Sequence, residues 1–261
     1  GKLEDYLQTE WPELDVYLTS VTDHYSTASI CGPNSKKILM KLFPNVKFDD
    51  ENFPHMSFQN ASLDKINCRI MRISFTGEHS YEINIEAKYG KSLWEKCIEA
   101  GKEFNITPYG TETMHLLRAE KGFIIVGQDT DGTMTPIDLQ MEWIVSKKKF
   151  DFIGKRSLYR SDTIREDRKQ LVGLVTDDPN EVLEEGAQIV QNLNTKPIEM
   201  LGHVTSSYYS PNLKKSIALA VVRSGKKMKG QKLIVPMKNK NINVTVSDFI
   251  FLDKDNERLN A

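Results

Sequence analysis

Cysteine is scarce. Cys31, Cys68 and Cys97 are the only three in 261 residues, and no two form a CxxC pair. That excludes a disulfide framework and a zinc knuckle, and it fits a reducing compartment, so a cytoplasmic location is expected. No apolar run approaches the ~20 residues of a membrane-spanning helix, and the opening GKLEDYLQTEWPEL lacks the basic-then-apolar layout of a leader. Charge of one sign is also lacking: 35 Lys+Arg against 36 Asp+Glu leave a formal net charge of −1. The chain therefore offers no global field for nucleic acid or for a membrane surface. With 15 glycines and 10 prolines, it is neither collagenous nor disordered.

Several chemical signatures are missing. His24, His55, His79, His115 and His203 show no HExxH pairing, and neither a GxSxG elbow nor a Cys-His arrangement is present. The GKRS at residues 154–157 has the form of a phosphate-loop end, but Lys149 stands where the loop needs its first glycine. Asp129, Asp131 and Gly132 invite calcium, yet Met134 and Gln140 occupy the EF-hand's Gly and Glu positions, so an Asp-Gly turn explains the run. No glycine-rich dinucleotide fingerprint occurs. Lys147, Lys148 and Lys149 with Lys155 and Arg156 read as a solvated interdomain linker.

What is present suggests two domains. VTDHYSTASIC predicts a strand, Gly32-Pro33-Asn34 a turn, and Ile38, Leu39 and Leu42 a helix. NCRIMRISF and SYEINIEA alternate around TGEH as a β-hairpin. A helix with Leu93, Trp94, Cys97 and Ile98 is expected to end at a left-handed Gly101, and TETMHLLRAEK at Gly122. FIIVG then reads as a buried strand, and the order predicts a ferredoxin-like α+β unit. Further on, QLVGLV, AQIV, MLGHVT, SIALAVV, KLIVPM and INVTVSDFIFL predict a small β-barrel or sandwich. The boundary is expected between Lys147 and Lys169, giving domains 1–150 and 165–261. Residue 1 is Gly, and Leu3, Tyr6 and Leu7 form an apolar stripe already under way, which suggests a piece of a longer chain.

Glu82 lies on the polar face of a strand whose other face carries Tyr81, Ile83 and Ile85, next to a turn where Gly77 permits close backbone approach. A strand-fixed carboxylate can accept two parallel N–H bonds, the donor pair of a pterin or purine edge. By pattern alone a solvent-facing Glu is the simpler reading.

The runs TSVTDHYSTASICGPNSKKIL, RISFTGEHSYEINI, ITPYGTETMHLLRAEKGFIIVGQDTDGTMTP, SKKKFDFIGKRSLYRSDTIREDRKQLVGL and MLGHVTSSYYSPNLKKSIALA resemble the folate-binding, aminomethyltransferase-like C-terminal region of heterotetrameric sarcosine oxidase alpha subunits. More distantly they are similar to the glycine cleavage T protein and dimethylglycine dehydrogenase. The resemblance implies an α+β folate-binding part followed by a C-terminal β-barrel. It also implies that Glu82 of the GExxYE stretch holds the pterin, with Gly77, Tyr81 and Arg118 as further folate-site candidates. Arg118 could instead pair with Glu82 or Glu120. The implied reaction is capture of an imine carbon from sarcosine oxidation by tetrahydrofolate, giving 5,10-methylenetetrahydrofolate and glycine. Such chemistry needs orientation and a carboxylate rather than a covalent nucleophile.

In the family, the acidic catalytic residue precedes the segment matching LQTEWPEL, so no catalytic residue is assigned here and an isolated chain is expected to be inactive. FAD, FMN, NAD and zinc are expected only elsewhere in the full complex, and the partners are other oxidase subunits, folate and a small amine. The competing readings are a non-catalytic fragment that docks on other subunits and a transferase acting on another amine or S-methyl donor. A related iron–sulfur maintenance family is disfavoured, because KKKFDFIGKRS lacks that family's cysteine.

Overall fold

The computed structural model describes residues 1–260. Two compact units divide the chain: Gly1–Ile73 with Ser80–Thr107, and Ser74–His79 with Pro108–Ala261. None of the helices is long and apolar enough to cross a membrane.

The first unit contains α1 (Lys2–Thr9), β1 (Tyr25–Cys31), α2 (Ser35–Leu42), β2 (Ser57–Leu63), β3 (Ile66–Arg72), β4 (Ser80–Glu86) and α3 (Gly90–Gly101). The sheet runs β1-β4-β3-β2, with each neighbouring pair antiparallel. Period-two alternation on β4 sends Tyr81, Ile83 and Ile85 into one core with Ile38 and Leu39 of α2 and Leu93 and Cys97 of α3. Trp94, expected on the buried stripe of α3, is 51% exposed. No residue of α1 is buried, so its apolar stripe faces solvent.

Three local expectations need correction. The connection of the β3–β4 hairpin spans residues 73–79 and is longer than TGEH. Gly101 has a right-handed φ of −89°, and a short 3₁₀ turn follows before Asn105 takes the left-handed position at φ 56°. Gly101 is still required, because a Cβ there would lie 2.6 Å from the Ile106 side chain. FIIVG forms no strand, and its Val126 is 84% exposed. The fourth strand of the sheet is instead β2, which the sequence reading left out.

The second unit contains α4 (Thr111–Lys121), ended by Gly122 at φ 77° as expected. Its six strands are β5 (Lys169–Thr176), β6 (Gln188–Val190), β7 (Met200–Ser210), β8 (Lys215–Arg223), β9 (Lys232–Met237) and β10 (Lys240–Ser247). They close into a barrel in the order β10-β5-β8-β7-β6-β9, each on one of the six apolar runs. Val172, Leu174, Ala218, Ala220 and Val222 fill the interior. Leu171, Ile217 and Leu219 pack outward against Ala119 of α4. Both faces of β5 and β8 are therefore buried, which is why QLVGLV and SIALAVV read as continuous apolar runs. The chain is thus α+β with a closed C-terminal β-barrel.

Ile83 has no exposed surface. Ile83→Ala is expected to destabilise the first unit by about 2–5 kcal/mol, read as a lower urea midpoint with β-sheet circular dichroism retained in the absence of denaturant.

Candidate functional site

β4 is a central strand, so Glu82 is flanked on both sides. It pairs with Ser29 of β1 and Met71 of β3, and Met71 pairs with Phe58 of β2. Directly opposed residues project from the same face. Ser29, Glu82, Met71 and Phe58 therefore form one row across the four strands, and Thr27, Asn84, Arg69 and Asn60 form the next. This face is opposite the one that carries Tyr81, Ile83 and Ile85.

A groove of about 430 Å³ runs along these strands, lined by Tyr25, Asn60, Asn67, Arg69, Met71 and Asn84 among others. The Arg69 guanidinium lies 5.0 Å from the Phe58 ring centroid. Thr27 Oγ1 donates to Asn84 Oδ1 at 2.9 Å, and the buried Asn84 Nδ2 has no partner.

Glu82 is half-buried, and burial pushes its carboxyl above the usual carboxylate range. No donor among the described residues offsets that loss of water. The carboxylate is held on a strand paired on both sides.

The other three candidates are committed to packing. Tyr81 is fully enclosed against Phe48 and Phe53, with ring centroids 5.5 and 5.7 Å away, and burial pushes its phenol up to about 12. Alternation sends its side chain to the core side, away from the groove. At Gly77, φ is 80°, and the stem of Lys121 lies 2.7 Å from where a Cβ would be. The close approach that its missing side chain allows is taken by lysine carbons. Lys121 Nζ pairs with Asp253 Oδ2 at 2.8 Å.

Arg118 is 0% exposed and pairs with neither Glu82 nor Glu120. Its Nη1 donates to Asp129 Oδ2 at 2.5 Å and to the Phe123 carbonyl at 3.1 Å, and its Nη2 donates to Ser206 Oγ at 2.6 Å. Asp129 also accepts from Thr205 Oγ1, Ser206 Oγ and the Ile125 amide, at 2.5, 2.7 and 2.8 Å. Asp129 is a buried anchor as well as a turn residue. No periodic signal marks that role, because the partners from β7 lie more than seventy positions away. Glu120 accepts from Ser210 Oγ at 2.5 Å and Asn212 Nδ2 at 2.9 Å. Among the described residues no group of three or more His, Cys, Asp or Glu is placed to hold a metal ion.

The comparisons with known proteins follow this architecture. The profile of the GCVT N-terminal domain matches residues 2–149, and that of the glycine cleavage T-protein C-terminal barrel domain matches residues 169–253. The chain is 50% identical to the sarcosine oxidase subunit alpha of Corynebacterium sp. (strain P-1), over 98% of this chain and 27% of that protein. It is 38% identical to the Rhizobium meliloti (strain 1021) subunit, over 99% of this chain and 26% of that protein. An aminomethyltransferase of Thermoanaerobacter pseudethanolicus is 31% identical over 92% of this chain and 63% of its own. The chain thus spans about a quarter of the oxidase subunits it matches. The solved glycine cleavage system aminomethyltransferase T from Bartonella henselae shares the fold at TM-score 0.75 and 21% identity, covering 96% of this chain and 66% of that one.

Two stability outcomes follow. Arg118→Met leaves Asp129 buried without its cation and is expected to cost about 3–5 kcal/mol, measured by denaturant unfolding; replacing both residues by apolar ones of similar volume is expected to cost less. For Glu82 the sign is opposite. A raised carboxyl pKa means that the folded chain holds the proton more tightly than the unfolded one, so ionisation costs stability as pH climbs past the unfolded value. Glu82→Gln should be no less stable than the wild type at pH 7 in the same unfolding assay.

Proposed function

The chain belongs to the glycine cleavage T-protein family, and within it we propose that this chain is the folate-dependent one-carbon transfer module of a sarcosine oxidase alpha subunit. The observation that carries the reading is Glu82: a half-buried carboxylate with no donor among the described residues, on the sheet face that carries the groove. Identity of 38–50% to oxidase alpha subunits over nearly the whole chain supports the same assignment.

In the proposed reaction, sarcosine oxidation elsewhere in the enzyme delivers an imine. A tetrahydrofolate nitrogen attacks the imine carbon, the second folate nitrogen closes the five-membered ring, and the former imine nitrogen leaves with a proton as the amine of glycine. The product is 5,10-methylenetetrahydrofolate. Glu82 accepts two N–H bonds from the pterin edge and fixes its orientation, which is where a positioning site makes its contribution. Tyr81 backs the Glu82 strand from its core side, while Arg118 and Gly77 are held in the packing of the second unit. The proton-handling carboxylate is assigned to no residue of this chain, so the isolated chain is expected to bind folate without turnover. FAD, FMN, NAD and zinc are assigned to other parts of the oxidase, and the other subunits are its partners, in a soluble cytoplasmic enzyme. The functional division we propose is a folate-binding portion at 1–150 and a barrel portion at 165–261.

The alternative is a structural segment that docks on other subunits and binds no folate. The two readings separate in one experiment. Calorimetric titration of tetrahydrofolate into the chain should show binding that Glu82→Gln weakens by about 1.5–3 kcal/mol, roughly 10- to 150-fold. Wild-type affinity should also fall as pH drops through the raised Glu82 value, while the Gln variant stays flat. Equal affinity in the two proteins would remove Glu82 from the site, and no binding by a cooperatively folded chain would favour the docking segment.

A further inference from the structure

Between α4 and β5 the chain forms no strand and only short 3₁₀ turns, at Glu142–Ile144 and Lys155–Tyr159. None of residues 143–160 is buried. Trp143 is 77% exposed, Phe150 95%, Ile153 73% and Tyr159 69%. Isolated exposed apolar residues are ordinary, but five large ones within seventeen positions, Ile144 included, are not, and such concentrations mark protein-binding surfaces. Aromatic residues are the usual anchors of such surfaces.

The charge around them shows what covers them. Lys147, Lys148, Lys149, Arg156 and Arg160 are interleaved with the aromatics and exposed. Of these, Lys148, Lys149, Arg156 and Arg160 make no ion pair. The carboxylates of the segment are already engaged: Glu142 with Lys226 at 3.3 Å, Asp162 with Arg168 at 2.8 Å, Glu166 with Lys227, and Asp167 with Arg165 at 3.2 Å. Asp151 accepts from the Phe152 amide. The positive charge is therefore local and uncompensated on a chain whose overall charge is near zero. A basic rim around an apolar centre complements a protein surface with the reverse rim.

We propose that residues 143–160 form a docking surface for an acidic-rimmed protein partner, with Trp143 and Phe150 as its apolar anchors and the Lys147, Lys148, Lys149 run as its electrostatic guide. This surface is independent of the folate reading, since it includes neither Glu82 nor the groove.

The test uses the 261-residue chain and a synthetic amphipathic peptide carrying Glu on one face and Leu on the other. A single-stranded oligonucleotide and phosphatidylglycerol vesicles serve as rival probes. Trp143 is the reporter: its emission should shift to the blue as the acidic peptide covers it, and Trp143→Phe should abolish that change. The triple variant K147E/K148E/R156E should weaken the peptide by about tenfold or more. Phe150→Ser, which keeps every charge, should also weaken it, with circular dichroism unchanged in both. Equal peptide affinity in the triple variant, or tighter binding of the oligonucleotide or the vesicles than of the peptide, would overturn the proposal.

Discussion

The buried Arg118–Asp129 pair is the contact on which the second unit turns. Two charges without exposed surface are tolerable because the ion pair is backed by several further hydrogen bonds, with Arg118 Nε alone of the guanidinium nitrogens left without a partner. One Asp129 oxygen takes the guanidinium and a backbone amide, and the other takes two hydroxyls from β7. Helix, following loop and barrel wall are fixed in one step. The same last turn of α4 repeats the device twice, with Glu120 bound to Ser210 and Asn212 and Lys121 bound to Asp253. Three of its last four residues thus clamp different parts of the barrel unit. A merely apolar contact, non-directional by nature, would leave the helix freer to slide.

The first unit solves the opposite problem. Its sheet spends one face on the core and leaves the other half-covered, rich in amides, hydroxyls and one arginine. Glu82 sits there without the donors that Asp129 enjoys. The two carboxylates differ in surroundings rather than in chemistry: one is saturated by its own chain and the other is available.

How much could be read in the sequence follows from which interactions are local. All six barrel strands were visible because alternation and continuous apolar runs are short-range signals. Gly122 was visible because a left-handed helix end favours glycine. The anchoring of Arg118 to the barrel was not, since Ser206 lies 88 positions away and no spacing rule joins them. FIIVG failed for a related reason: its apolar letters match a strand, but the Asp129 carboxylate captures the Ile125 amide and bends the segment into turns. β2 escaped notice because SFQNASL carries few large apolar residues on its inner face. At the candidate site the face carrying Glu82 was legible from alternation, which also puts the candidate Tyr81 on the core face, but the row across the sheet was not, because its member Phe58 lies on β2. That the space beside Gly77 belongs to Lys121 required coordinates.

The barrel's closure has a weak seam. β6 is only three residues long, and its link to β9 rests on the single pair Val190 with Ile234. The other seams between adjacent strands run through three pairs or more. A cylinder opens where its staves are shortest, so breathing of this barrel begins at that joint, with amide protons near Val190 the first to meet solvent. An opened joint would bare two unsatisfied strand edges, which makes the shortest strand in the protein the guardian of its solubility.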